Sequence, residues 1–199
     1  MDGSCNEWKE LPDAEVSLDL SFIGDDFPEL VPAIWYMRQA GTIPGNLLPM
    51  DVSIKVASSP EDQLKAFMVR CVVFCGEQGV RYDIEHDEFE ATATHVLGEI
   101  DGEPVAAGRV RFLPDYAKLE RIAVRAPWRN RGIGAEITRF LIRLARERGY
   151  SSYRMSAQAH LEEFYGRLGF RAVGEIFMEA DIEHLLMVRE DRSSSAPST

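Results

Sequence analysis

No run of about 18 apolar residues occurs in the chain, so no segment is expected to span a membrane as a helix. Cysteine is scarce. Cys5, Cys71 and Cys75 are too few and too oddly counted for a disulfide framework, which points to a reducing compartment. The opening residues, MDGSCNEWKELPDAEV, have no basic segment followed by an apolar stretch, so a cytoplasmic protein without a secretory leader is expected. Basic charge is short as well: 22 Lys and Arg against 33 Asp and Glu leave a net −11. That argues against a nucleic-acid partner, because phosphate backbones need a basic footprint. Cysteine and histidine at metal-ligand spacing are missing, so no metal is expected.

What is present is enough for one core: 199 residues, 45% of them hydrophobic. The charge is unevenly spread. Arg121 to Arg148 holds eight arginines against two acids, while Glu77 to Glu90 holds six acids against one arginine. A solvated surface is the plain reading of either run. Together they suggest a basic seat for an anionic cofactor beside an acidic approach for a cationic substrate.

Residues 1–50 mix acids, prolines and aromatics without a period, with a short helix conceivable over Glu29–Gln39. We read them as an extension, 51–190 as the main domain and 191–199 as a disordered tail. DVSIKVA alternates like a strand, and Ser59-Pro60 starts a helix that is expected to run to Gly76 or Gly79. THVLGEI and PVAAGRVRF form a hairpin over Asp101-Gly102, and KLERIAV is a third strand. AEITRFLIRLARERG is an amphipathic helix with Ile137, Phe140, Leu141, Leu144 and Ala145 on one face. A strand, a helix (AHLEEFYGRL) and two more strands follow, giving a mixed α/β domain.

RNRGIG, Arg129–Gly134, joins the third strand to that amphipathic helix. A helix N-terminus offers unpaired N–H groups to an anion, and Gly132 and Gly134 allow close approach. Asn130 is among the few residues that tolerate φ > 0 there. A Rossmann fingerprint fails because Ile137 stands where its third glycine belongs, and a P-loop fails for want of a lysine.

VRAPWRNRGIGAEI resembles the acyl-CoA signature R/Q-x-x-G-x-G/A of the GNAT superfamily of N-acetyltransferases, as Arg129-x-x-Gly132-x-Gly134. AQAHLEEFYGRLGF is similar to a second motif of that family, N-x-x-A-x-x-x-Y-x-x-x-G-F, with Tyr165, Gly169 and Phe170 in register and Gln158 and Leu161 at its asparagine and alanine. VRCVVFCGEQGV, THVLG and EADIEHLLMVRE resemble the ElaA-type branch, where His160 and His184 also match. The likeness covers 51–190 and implies a GNAT fold: a mixed, mostly antiparallel central sheet flanked by helices. It implies acetyl-CoA as co-substrate. The turn Arg129, Asn130, Arg131, Gly132, Ile133, Gly134, Ala135 would hold the pyrophosphate, and Ile122, Ala123 and Val124 would pair with the pantetheine arm. A backbone N–H near Val124 would face the thioester, Gln158 would contact pantetheine, and Tyr165 would be the general acid.

An alkyl ammonium, with a pKa of about 10.4, must lose a proton before it can attack. Strict alternation puts Glu120 on the face of Ile122 and Val124, which makes it the candidate base; an ordinary carboxylate paired with a nearby arginine is the other reading. Glu77 and His95 are further substrate-side candidates. Cys71 and Cys75, four apart on an apolar face, are expected to be buried thiols, and nothing adjacent activates Cys75 as a nucleophile. The expected function is acetyl transfer to a small-molecule or protein amine, cationic by the acidic run, directly in a ternary complex. The alternative is a non-catalytic acyl-CoA-binding module whose first 50 residues recruit a partner; a longer acyl group also stays open.

Overall fold

The computed structural model describes residues 52–191. The helix expected over Glu29–Gln39, the 1–50 extension and the tail from Arg192 onward lie outside the described residues. Asp191 does not behave as tail: it accepts hydrogen bonds from Arg146, Tyr153 and Arg189.

Seven strands form one sheet among the described residues: β1 (Ser53–Val56), β2 (Thr94–Ile100), β3 (Glu103–Phe112), β4 (Ala117–Val124), β5 (Ser152–Gln158), β6 (Arg171–Glu179) and β7 (Ile182–Glu190). Their order is β1-β2-β3-β4-β5-β7-β6, and every pair is antiparallel except β4–β5. Asp101 and Gly102 both take positive φ, as the tight β2–β3 turn requires. Ser59 caps α1 (Pro60–Arg70) by accepting from the Asp62 amide at 3.1 Å. The helix then differs from expectation: Cys71–Glu77 is a π-helix, with the wider i→i−5 bond from the Gln78 amide to the Val73 carbonyl. A one-turn helix, α2 (Tyr82–Glu85), stands inside the acidic run Glu77 to Glu90, the acidic connection between α1 and β2. After α3 (Ile133–Glu147), the expected helix over AHLEEFYGRL is a 3-10 turn (Ala159–Leu161) followed by a short α4 (Glu162–Gly166).

α1 packs on one face of β2–β4 and α3 on the other. Ile137, Leu141 and Ala145 are fully buried, with Phe140 and Leu144 beside them. Each large aliphatic side chain so buried contributes about 1.5–3 kcal/mol. Gly108 on β3 lets α3 sit this close: a Cβ there would lie 2.9 Å from Ile137 Cγ2 and 3.0 Å from Leu141 Cδ1. Gly108→Ala is therefore expected to cost about 1–3 kcal/mol by overpacking, read as a lower urea midpoint. An unchanged midpoint would show that α3 moves aside freely.

β4 carries a bulge that matters for the site. Ala107 pairs with Ala123 and Arg109 with Glu120, so Arg121 and Ile122 together face the single residue Gly108. Arg121 has φ 52°. The extra residue switches the strand's parity. Leu119 lies in the α3-side core, and beyond the bulge Ile122 and Val124 pack against that same core, while Ala123 joins the α1-side core.

Candidate active site

β4 and β5 pair only at Ala117–Tyr153 and Lys118–Arg154, and then part. From Glu120 onward β4 has no strand partner on its β5 side among the described residues. The gap widens into a cleft of about 700 Å³, a volume that suits a cofactor-sized ligand. One wall is β4 with Ile122, Ala123 and Val124; the other is β5 with Ser156 and Gln158. The π-helix adds Val73 and Phe74, its C-cap adds Gln78, and the β6–β7 hairpin adds Glu179, Ile182 and His184.

The floor at one end is the turn into α3. Asn130 (φ 61°) and Gly132 (φ 80°) both adopt the left-handed conformation, so the turn brings the first amides of α3 to the cleft. A Cβ on Gly132 would meet nothing within 4 Å, so the space beside it is open. Arg129, Asn130, Gly132, Ile133 and Gly134 line the cleft. The Arg131 guanidinium instead stacks over Trp128 at 5.4 Å, and Ala135 packs against the core. Arg129 Nε donates to the Val124 carbonyl at 2.9 Å, and its guanidinium pairs with Glu77.

Tyr165 also lines the cleft. Its ring is buried edge-on between Phe164 and Phe170, and its hydroxyl makes no hydrogen bond among the described residues. Burial pushes the phenol up to about 12, so it holds its proton at neutral pH.

Residues 60–190 match the family model described as the acetyltransferase (GNAT) domain. The chain belongs to the GNAT acetyltransferase family. It is 41% identical over 138 residues to the uncharacterized N-acetyltransferase YjcF of Bacillus subtilis, spanning 68% of this chain and 98% of that protein. ElaA of Escherichia coli is 32% identical over 134 residues, 64% of this chain and 88% of ElaA. The ElaA crystal structure superposes with a TM-score of 0.64, covering 71% of this chain and all of ElaA, at 26% identity. The same fold appears in a GNAT acetyltransferase of Elizabethkingia anophelis solved with acetyl-CoA bound (TM-score 0.54, 16% identity, 70% of this chain and 97% of that one). The α/β fold with a mixed, mostly antiparallel sheet is thus the GNAT fold, and acetyl-CoA is the co-substrate that goes with it.

Within this GNAT domain several sequence expectations need correction. Glu120 does not share a face with Ile122 and Val124, because the bulge at Arg121 breaks the alternation. Its carboxylate points toward Arg109 and accepts from Arg109, Arg111 and Lys118 at 2.8–3.1 Å. Burial opposes its charge, but hydrogen bonds from Arg111 and Lys118 and the field of Arg109 hold it at about 2. Such a group is a poor base. His95 is not in the cleft: its Nε2 donates to the Glu90 carbonyl at 2.9 Å, and it is buried beside Arg70. Glu77 does not line the cleft either, and its partner is Arg129.

Three of the six acids in the run are taken up in ion pairs with Arg70, Arg109 and Arg121. Glu85 pairs with Arg70 and Arg121, Asp87 with Arg109 and Arg121, and Glu90 with Arg70 and Arg109. Cys71 and Cys75 are half-buried, not buried, and neither lines the cleft. Sequence reasoning misses Phe74, Gln78, Ile84, Glu179 and the cleft-facing role of His184. They come from the π-helix, α2 and the last hairpin, which only the fold brings together. Gln158 lines the cleft, and its side-chain amide donates to Gln78 at 2.9 Å.

Proposed function

We propose that the protein is an N-acetyltransferase that passes the acetyl group of acetyl-CoA to an amine, directly, with both substrates in the cleft. The observation that carries this is the β5-side edge of β4, unpaired among the described residues from Glu120 to Val124, which leads through the Ala126–Trp128 turn to the Gly132 helix N-terminus. Unpaired strand groups are an edge on which an extended amide-bearing arm can add as a strand. The helix N-terminus beyond them is a seat for its pyrophosphate. Ile122, Ala123 and Val124 would hold the arm; Arg129, Asn130, Gly132, Ile133 and Gly134 the phosphates, with Arg131 adding charge nearby. Acetyl-CoA supplies the acetyl group as a thioester, which the chain's own residues need only orient and protonate. Tyr165 lines the cleft, and its Oη holds a proton that the departing sulfur can take as the C–S bond breaks.

The acceptor enters from the side of the last hairpin and the π-helix. Its cationic character rests on Glu179. Glu85 and Glu120 also line the cleft, but arginines neutralise both; Glu179 lines the rim and has no ion pair among the described residues. A carboxylate free of a cation is the element that draws an ammonium.

The test is mass-spectrometric. The full chain, acetyl-CoA and a mixed panel of polyamines, amino sugars, aminoglycosides and peptides should yield at least one compound that gains acetyl mass at a protein-dependent rate. Silence across the panel, with acetyl-CoA binding confirmed by calorimetry, would favour a binding module instead.

A further inference from the structure

We propose that His184 is the general base of the transfer, acting through Nε2; this rests on the reading of the cleft as an acetyl-transfer site. His184 lies on β7 directly opposite Gln158 of β5 and Phe177 of β6, and it lines the cleft. Its Nδ1 is 2.8 Å from the Ile182 carbonyl oxygen. A carbonyl only accepts, so Nδ1 carries the hydrogen and the neutral ring has its lone pair on Nε2. The ring is held in that orientation by stacking on Phe177, 6.0 Å between centroids with 28° between planes. Nε2 makes no hydrogen bond among the described residues. With Nδ1 turned to the strand's own backbone, Nε2 is the nitrogen left for the cleft.

The other acceptors in the cleft are worse placed for the task. Glu120 is held at about 2 by three cations, so proton transfer to it from an alkyl ammonium near 10.4 is steeply uphill. Glu85 is sealed between Arg70 and Arg121, 2.6 and 2.5 Å away. His160 also lines the cleft, but its exposed ring makes no hydrogen bond among the described residues that would fix a tautomer. Glu179 stands on the same face of the hairpin as Phe177, so it can hold an ammonium near His184 without taking its proton.

The ammonium gives one proton to His184 Nε2, leaving a nitrogen lone pair. That lone pair forms the C–N bond to the acetyl carbon while the C–S bond breaks and its electron pair stays on sulfur. Tyr165 protonates the sulfur, and the nitrogen's second proton replaces the one Tyr165 gave. The net products are the acetamide, the free thiol and one proton that His184 passes to water.

The experiment compares His184→Asn and His184→Ala with the full wild-type chain, using acetyl-CoA and two probe amines of similar shape. Benzylamine is an ammonium at neutral pH and needs a base; aniline is a free base and does not. His184→Asn, whose side-chain amide can keep the bond to the Ile182 carbonyl, should lower kcat for benzylamine about 100-fold or more with the KM for acetyl-CoA unchanged. Its rate with aniline should change by less than about threefold, on the same reasoning. Added imidazole should restore part of the benzylamine rate to His184→Ala. Equal losses with both amines, no rescue, or the same pattern from His160→Gln and not from His184→Asn would overturn the proposal. So would a wild type that acetylates neither probe. The mixed amine panel decides the transfer reading on its own, because it uses no variant.

Discussion

Tyr165→Phe is expected to lower kcat by about 10²–10⁴, the usual worth of a positioned general acid, while the protein folds as before and binds acetyl-CoA as before. The expectation has two halves that a packing role could not satisfy together. The phenol oxygen makes no hydrogen bond among the described residues, so its removal breaks nothing in the fold. The ring stays wedged between Phe164 and Phe170, so no cavity opens. Burial pushes the hydroxyl up to about 12, so the wild-type group is a full proton reservoir at neutral pH and the variant has none. The check is a kcat and KM series for both substrates beside a urea melt. A variant that keeps its midpoint and loses kcat alone fits proton donation. Unchanged kcat, or a parallel loss of stability, would remove Tyr165 from the mechanism.

Much of this site is legible in the residues themselves, and the boundary of what is legible has a physical cause. Ser59 as helix cap, Asp101-Gly102 as hairpin turn and the spacing of Ile137, Leu141 and Ala145 are local signals, and local geometry honours them. The GNAT resemblance rests on two motifs in the right element order, and the family match over 60–190 bears it out. The failures are non-local. Period-two alternation puts Glu120 in the wrong company because one extra residue, Arg121, sits at positive φ, where arginine is rarely found. Its guanidinium bonds to the Glu85 and Ile84 carbonyls, contacts across 36 and 37 residues that no window on β4 contains. The acidic run looks like a substrate approach for the same reason. Its charge is visible in sequence, but the arginines that neutralise it, Arg70, Arg109 and Arg121, lie on α1, β3 and β4.

Arg109→Met should cost about 3–5 kcal/mol, the largest stability loss expected from a residue that does not itself line the cleft. Arg109 is fully buried on β3 and holds three carboxylates: Asp87 bidentately at 2.7 Å, Glu120 at 2.9 Å, and Glu90. Methionine fills much of its volume, so the loss is not a cavity. It is the loss of the one cation that all three carboxylates share. The acid side of the stability profile tests the cause. Burial raises Asp87, but the hydrogen bond and field of Arg109 bring it down to about 2. Glu120, opposed by burial in the same way, is held at about 2 by Arg111, Lys118 and Arg109. Both folded values lie below the ordinary 3.8 and 4.5, so the stability they contribute is present above about pH 4.5 and lost as pH falls toward 2. Wild type should therefore lose urea resistance steeply across that window. Arg109→Met, having already lost its share, should start lower and fall less. Adding Glu120→Gln to it should recover stability, a coupling that independent sites would not show. Purely additive losses, or an acid slope equal to wild type, would mean that the network is packing and not charge that ties the acidic connection to the β3–β4 bulge.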